Sequence, residues 1–228
     1  MNYKSLVTCI AALIFSVGTS FAQSERGTEV YFGYSNLQAQ GLPDKNDLTG
    51  IFGSDFFNNR TTLQGFGTGV TYFPKETFGW TGDFSFNENN RSREFINGRD
   101  SIETDIMYFM GGPTLSMSQF RRFQPFVRFL GGGAYTRYTV NTARTLQSGG
   151  DLKTQFRVSA TDFALGMGGG LDLRVSDAVK FRLIQVDYTP IFLRDQSFDA
   201  LSQAGVIQPF TLNGQRMDNV RFTFGIVF

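Results

Sequence analysis

The chain has 228 residues, of which 41% are hydrophobic, 15% aromatic and only 18% charged, with 26 Phe and 26 Gly. Soluble domains carry about a quarter charged residues and far less Phe, so this mixture suits strands that face lipid on one side and a packed polar interior on the other. Lys+Arg 21 balance Asp+Glu 20, which leaves no electrostatic hold on nucleic acid, and with His 0 no imidazole is available for catalysis or metal binding.

Residues 1–22 read as an export signal. Lys4 supplies a positive start, Leu6 to Val17 is mostly apolar, and Ser20-Phe21-Ala22 places small residues where a signal peptidase cuts, between Ala22 and Gln23. The apolar stretch is too short and wrongly flanked for a stable membrane span. Cys9 is the single Cys, and Ile10 to Phe15 follow it, so it does not sit where a lipid anchor is attached. The mature chain, 23–228, is therefore expected to hold no disulfide, no thiol chemistry and no cysteine metal site.

Beyond the signal no run of 18 apolar residues occurs. What recurs instead is alternation of period two, the pattern of strands whose successive side chains point to opposite faces. Val30-Phe32-Tyr34 alternates with Glu29-Tyr31-Gly33, and Phe66-Thr68-Val70-Tyr72 with Gly65-Gly67-Gly69. Phe78 to Phe86 and Glu103 to Met110 follow, then Pro125–Arg137, Thr161–Arg174 and Val179–Thr189. The clearest case ends the chain: Val220, Phe222, Phe224, Ile226 and Phe228 share one face, Arg221, Thr223, Gly225 and Val227 the other.

The links alternate in length. Pro74–Thr77, Ser116–Gln124 and Val175–Ala178 are short, whereas Asn36–Thr62, Asn87–Ser101, Tyr138–Ala160 and Pro190–Asn219 are long and polar. Short turns at one end and long loops at the other are what membrane barrels show. Aromatics near strand ends (Tyr31, Tyr72, Phe73, Trp80, Tyr135, Tyr138, Tyr188) suit the two interfacial girdles. An open sheet edge in lipid would strand backbone polar groups, so the sheet must close. The expected fold is all-β, an eight-stranded up-and-down antiparallel transmembrane β-barrel.

Phe163 to Pro190 reads FALGMGGGLDLRVSDAVKFRLIQVDYTP, Pro125–Ala134 reads PFVRFLGGGA, and the chain closes with NVRFTFGIVF. Together these resemble the OmpA-like family of eight-stranded outer-membrane barrels, over nearly the whole mature chain. The resemblance implies a barrel without the peptidoglycan-binding domain that some members carry, located in a Gram-negative outer membrane among its lipids and lipopolysaccharide. It also implies that the strand of Val220, Phe222, Phe224, Ile226 and Phe228 resembles the signal read by the barrel-assembly machinery during insertion, an edge-to-edge strand pairing in physical terms.

Alternation points Glu103, Asp105, Arg128, Asp172 and Arg221 inward, with Asp83 alongside them. Arg182 and Asp187 have opposite parity, so both face inward only if a bulge intervenes. Eight strands enclose an interior just wide enough for side chains, and buried charges must be paired. A structural charge network in the lumen is the expected outcome, and a gate for protons or small ions the alternative. The clusters Gly111-Gly112, Gly131-Gly132-Gly133 and Gly168-Gly169-Gly170 lack the spacing of a phosphate-binding loop and read as close backbone packing. Without His a Ser-His-acid triad cannot be built; the carboxylates of Glu103/Asp105 or Asp172/Asp187 could do acid–base work only if substrate reached them. No catalytic residue, cofactor or metal is expected. The long loops carry Ile51, Phe52, Phe56, Phe57, Phe192, Phe198, Leu201, Val206, Ile207 and Phe210, which either meet an external ligand of unknown identity or pack onto the rim.

Overall fold

The computed structural model describes residues 27–40, 60–95, 98–117, 122–145, 151–201, 207–212 and 216–228. Within them lie β1 (Thr28–Ala39), β2 (Thr61–Lys75), β3 (Phe78–Phe95), β4 (Gly98–Ser116), β5 (Phe123–Thr145), β6 (Asp151–Arg174), β7 (Lys180–Tyr188), β8 (Ile191–Phe192), β9 (Gln196–Leu201), β10 (Ile207–Leu212), β11 (Arg216–Met217) and β12 (Val220–Val227). Each of β1 to β6 pairs antiparallel with the next, β7 pairs with β12, and β12 returns to β1, so eight strands close on themselves. Mutual bonds of 2.9 Å between the backbones of Val30 and Phe228 extend that seam to the final residue. Every central strand is hydrogen-bonded on both sides.

The short pairs β8 and β11 carry β7 and β12 upward past Pro190, with Ala164 opposite Ile191 and Ile191 opposite Met217. β9 and β10 form a separate two-stranded sheet. All three expected short links are short, and the third is held by Val175 N and Ser176 N donating to Val179 O and by Val179 N donating to Ser176 Oγ. Two of the expected long loops are largely strand. β3 and β4 run on to meet at Phe95 opposite Gly98, and β5 and β6 to Thr145 opposite Asp151. Their outer stretches are mostly polar in sequence, so no apolar alternation announces them; ladder pairing with the neighbouring strand supplies the backbone partners instead.

Outward side chains form an apolar belt around the whole cylinder. It is made of Phe32 and Tyr34 on β1, Val70 and Tyr72 on β2, Trp80 on β3, Phe109 and Leu115 on β4, Val127 and Phe129 on β5, Phe163 and Met167 on β6, Phe181, Leu183, Ile184, Val186 and Tyr188 on β7, and Phe224 and Ile226 on β12, all exposed. On β12 the outward positions run from Val220 to Phe228. A tilted strand of that length spans about 25 Å, the height of the apolar band of membrane barrels.

The inward face of β4 differs from the expectation. Ile102, Ile106, Tyr108 and Met110 are buried inside, which turns Glu103 and Asp105 outward. Glu103 is exposed, and Asp105 pairs with Arg137, its register partner on β5. The cause is the lumen's layering: its outer half is apolar, so β4 directs its aliphatic set inward and leaves its carboxylates on the outer face, Glu103 exposed and Asp105 covered in its ion pair with Arg137. Tyr31 and Tyr138, expected in the girdles, also face inward; Tyr31 is buried, and the Tyr138 hydroxyl meets Met217 Sδ at 3.7 Å.

Candidate functional site

The strongest concentration of chemistry lies inside the barrel. Arg128 on β5 donates from Nε to Asp187 Oδ1 (3.0 Å) and from Nη2 to Asp187 Oδ2 (2.6 Å), and from Nη1 to Asp83 Oδ2 (2.9 Å). Arg221 on β12 faces the same two carboxylates: its Nη2 donates to Asp83 Oδ1 (2.8 Å) and Asp187 Oδ2 (3.1 Å), and its Nη1 to Ser85 Oγ (2.6 Å). Two guanidiniums and two carboxylates from β3, β5, β7 and β12 thus share one layer, with side-chain exposures of only 2–3%.

A second pair extends the layer toward the short turns. Arg182 forks onto Asp172 through Nε (2.9 Å) and Nη2 (3.0 Å), while its Nη1 donates to Gln185 Oε1 (2.7 Å). Gln185 Nε2 in turn donates to Asp187 Oδ2 (2.7 Å), which joins the two groups. The Arg182 guanidinium also lies between the rings of Tyr31 and Phe126, 4.4 and 4.3 Å from their centroids, a cation–π sandwich. Three guanidiniums therefore meet three carboxylates, and the layer carries no net charge.

The fold makes this possible through a bulge. On β12 a single residue separates Thr223 from Gly225, whereas their partners on β7, Gln185 and Arg182, are separated by Leu183 and Ile184. β6 registers the same extra residue between Leu171 and Asp172. Leu183 and Ile184 are both exposed on the outside, which brings Arg182, Gln185 and Asp187 all inside. Glycine provides the remaining clearance: a Cβ on Gly168 would stand 2.2 Å from Val186 O and 2.5 Å from Asp187 Oδ1.

Burying charge is costly unless every ion is paired and hydrogen-bonded, and here each guanidinium and carboxylate of the layer makes at least two charge-assisted hydrogen bonds. Below it, Thr71, Thr81 and Thr114 form a hydroxyl ladder (2.8 and 2.6 Å) beside a polar pocket also lined by Glu29, Arg182 and Asp172, with room for about one water. The Glu29–Lys180 ion pair stands at the same end. Above the layer, Tyr108 donates to Thr189 O (3.2 Å) and accepts from Asn219 Nδ2 (2.8 Å), and Leu37, Leu63, Ile106, Leu130, Ile191 and Met217 close the lumen with aliphatic side chains. The carboxylates of the layer are committed to guanidiniums from other strands, so the arrangement ties the wall together. Among the described residues no group of three or more His, Cys, Asp or Glu is placed to hold a metal.

Of the expected lumen residues, Arg128, Asp172, Arg182, Asp187 and Arg221 meet in this network, and Glu103 and Asp105 do not. Asp83, expected alongside them, joins the network, as do Ser85, Gln185 and the ring of Tyr31, which the alternation did not single out; Gln185 lies beyond the bulge, and Ser85 and Tyr31 carry no charge to mark them. The residues proposed as an assembly signal line the outside of β12, with Phe224 and Ile226 exposed. Tyr72 and Trp80 face outward opposite one another near the short-turn end, and Tyr135 and Tyr188 outward toward the other end. At that far end, above the belt, Asp218 accepts from the Tyr188 hydroxyl and pairs with Arg216, which hold its carboxyl below the usual range. Arg194 is tied to Asp162 and to Thr161 O, and Phe192 lies on Phe163 with centroids 5.9 Å apart, as part of the wall. Phe198, Leu201, Ile207 and Phe210 fall in β9 and β10, whereas Ala22, Gln23, Ile51, Phe52, Phe56, Phe57 and Val206 lie outside the described residues.

No family model matches the chain, and no curated protein matches it. Among solved structures the chain is similar to Ail, the attachment invasion locus protein of Yersinia pestis, with 12% identity, a TM-score of 0.50, and coverage of 90% of this chain and 100% of that one. It is also similar to Neisserial surface protein A, at 10% identity, TM-score 0.41 and coverage of 88% and 95%, and to the outer membrane protease OmpT from Escherichia coli, at 8% identity, TM-score 0.47 and coverage of 88% and 95%. The likeness to Ail shows a shared fold: a closed, eight-stranded antiparallel barrel of the kind found in bacterial outer membranes.

Proposed function

We propose that this chain is an integral protein of a bacterial outer membrane, non-enzymatic, with a structural or surface-binding role exerted through the tall outer ends of β3 to β6 and the loops. The observation that carries this reading is the combination of an unbroken apolar belt with a lumen closed by ion pairs. The belt suits immersion in lipid and contact with lipopolysaccharide; the lumen suits a pin that fixes the wall. Residues 1–22 would direct export and be removed after Ala22, and the outer face of β12 would serve the assembly machinery, as the resemblance to OmpA-like barrels implies. A barrel of this fold in Yersinia pestis bears the name attachment invasion locus protein, so the scaffold is compatible with a role at the cell surface.

The alternative, a narrow channel, is disfavoured by the aliphatic layer above the charges. Planar-bilayer recording of the refolded protein tests the choice. The expected trace shows no steady conductance; steady single-channel steps lost on Arg128→Ala would replace the structural reading with the channel. Recovery in outer-membrane fractions, with faster gel migration before boiling than after, tests the location, and a soluble periplasmic product would overturn it.

A further inference from the structure

One set of buried groups stands outside the ion network. The Tyr31 hydroxyl, Ser35 Oγ, Thr223 Oγ1 and both amide atoms of Asn87 are buried and have no hydrogen-bond partner among the described residues. Their residues are at most 5% exposed. They are neighbours: Thr223 faces Ser35 in the β12–β1 register, Ser35 faces Gly65 on β2, and Gly65 faces Asn87 on β3. Tyr31 joins from below, because its hydroxyl lies 2.6 Å from where a Cβ on Gly33 would stand. Its ring and the Thr223 methyl both come within 3.7 Å of the corresponding point above Gly67. The row lies between Arg221 on Ser85 beneath and Leu37, Leu63 and Ile106 above.

Buried polar groups in proteins are nearly always satisfied, and where protein partners are missing ordered water supplies them. The chemistry of the row selects the occupant. Three hydroxyls and one amide are all neutral, and each can both donate and accept. A cation would lie beside the Arg221 guanidinium, and an anion would find no excess of positive charge, since the guanidiniums of the layer are matched by carboxylates. A small neutral molecule that donates and accepts in equal measure fits, and water is the one that fits a lumen packed this closely. We propose that Tyr31, Ser35, Asn87 and Thr223 form a binding site for a cluster of ordered internal waters, held between the ionic layer and the aliphatic seal.

The test is magnetisation transfer from water in the NMR spectrum of the folded barrel. Expected are cross-peaks from long-lived water to the Asn87 side-chain amide and to the backbone amides of Gly33 and Ser35. Asn87→Leu removes those at Gly33 and Ser35 or reduces them by more than half, and the near-isosteric Thr223→Val, which deletes only a hydroxyl, weakens them with the rest of the amide spectrum in place. Absence of water cross-peaks at Asn87 and Ser35 in the unsubstituted folded protein overturns the proposal, as does their survival unchanged in both variants. Shifts of these same amides when sodium chloride is exchanged for potassium chloride or sodium bromide would show a bound ion in place of water and overturn it equally.

Discussion

Asp187→Asn keeps the shape of the side chain and deletes one charge from the centre of the lumen. In the intact layer Asp187 accepts from Arg128 twice, from Arg221 and from Gln185, at 2.6–3.3 Å. After the substitution Asp83 alone faces two guanidiniums, so one buried positive charge loses its counter-ion. Breaking a buried pair by removing one partner costs about 3–5 kcal/mol, and the near-complete burial of all four side chains places this case in that range rather than among solvent-screened pairs. The assay is equilibrium unfolding in urea from lipid vesicles, followed by the fluorescence of Trp80, the single Trp of the chain, which sits on the outer face. The double variant Asp187→Asn/Arg128→Met restores neutrality and is expected to recover at least half of the loss, since an apolar replacement of a whole ion pair is often close to neutral. A single variant within about 1 kcal/mol of the parent would refute the view that this layer pins the wall.

Gly168→Ala is expected to cost about 1–3 kcal/mol by overpacking, because its Cβ has no room beside Val186 O and Asp187 Oδ1, while Gly82→Ala, with nothing within 4 Å of the added carbon, leaves thermal unfolding unchanged. Phe224→Arg places a charge on the belt and is expected to cost about 2–4 kcal/mol in the same urea titration, whereas Ser92→Arg, exposed near the outer end of β3 opposite Ser101, costs little; equal effects would show that the belt is not immersed. Asp105→Asn breaks an ion pair whose arginine is 40% exposed and is expected to change stability by less than about 1 kcal/mol. A large loss there would put Asp105 back in the lumen.

The barrel was legible because β12, β1 and β7 each carry a lipid face, and a lipid face written as alternate aromatics cannot be mistaken for a helix. The network was legible only in part. Arg128, Asp172 and Arg221 declare themselves by parity, but Arg182 and Asp187 required the extra residue at Leu183–Ile184, and a bulge between two apolar residues leaves no mark in the pattern. β4 misleads because both of its faces are mixed: Met107 and Phe109 on one, Ile106, Tyr108 and Met110 on the other, and only the aliphatic ceiling contributed by Leu37, Leu63 and Ile191 decides which goes in. The outer stretches of β3 to β6 were hidden for the opposite reason, since their mostly polar sequence has no apolar period to read. Asn87 illustrates the same limit within the lumen: its parity is plain, but whether a buried amide finds a partner depends on side chains from three other strands.

The seam between β1 and β12 joins the two ends of the folded chain, with Tyr31 opposite Val227 and the backbone of Val30 bonded to Phe228. Contacts so distant in sequence carry the largest loop-closure entropy and come late in folding. Until they form, one edge of β1 and one edge of β7 remain open, and in hydrocarbon an open edge is not tolerated. The cylinder therefore has no stable half-way size in the membrane: a sheet of seven strands is worse off than either the unfolded chain in water or the finished ring. Shortening the chain by a few residues at β12 should consequently act on the rate at which barrels appear more than on the stability of those that do.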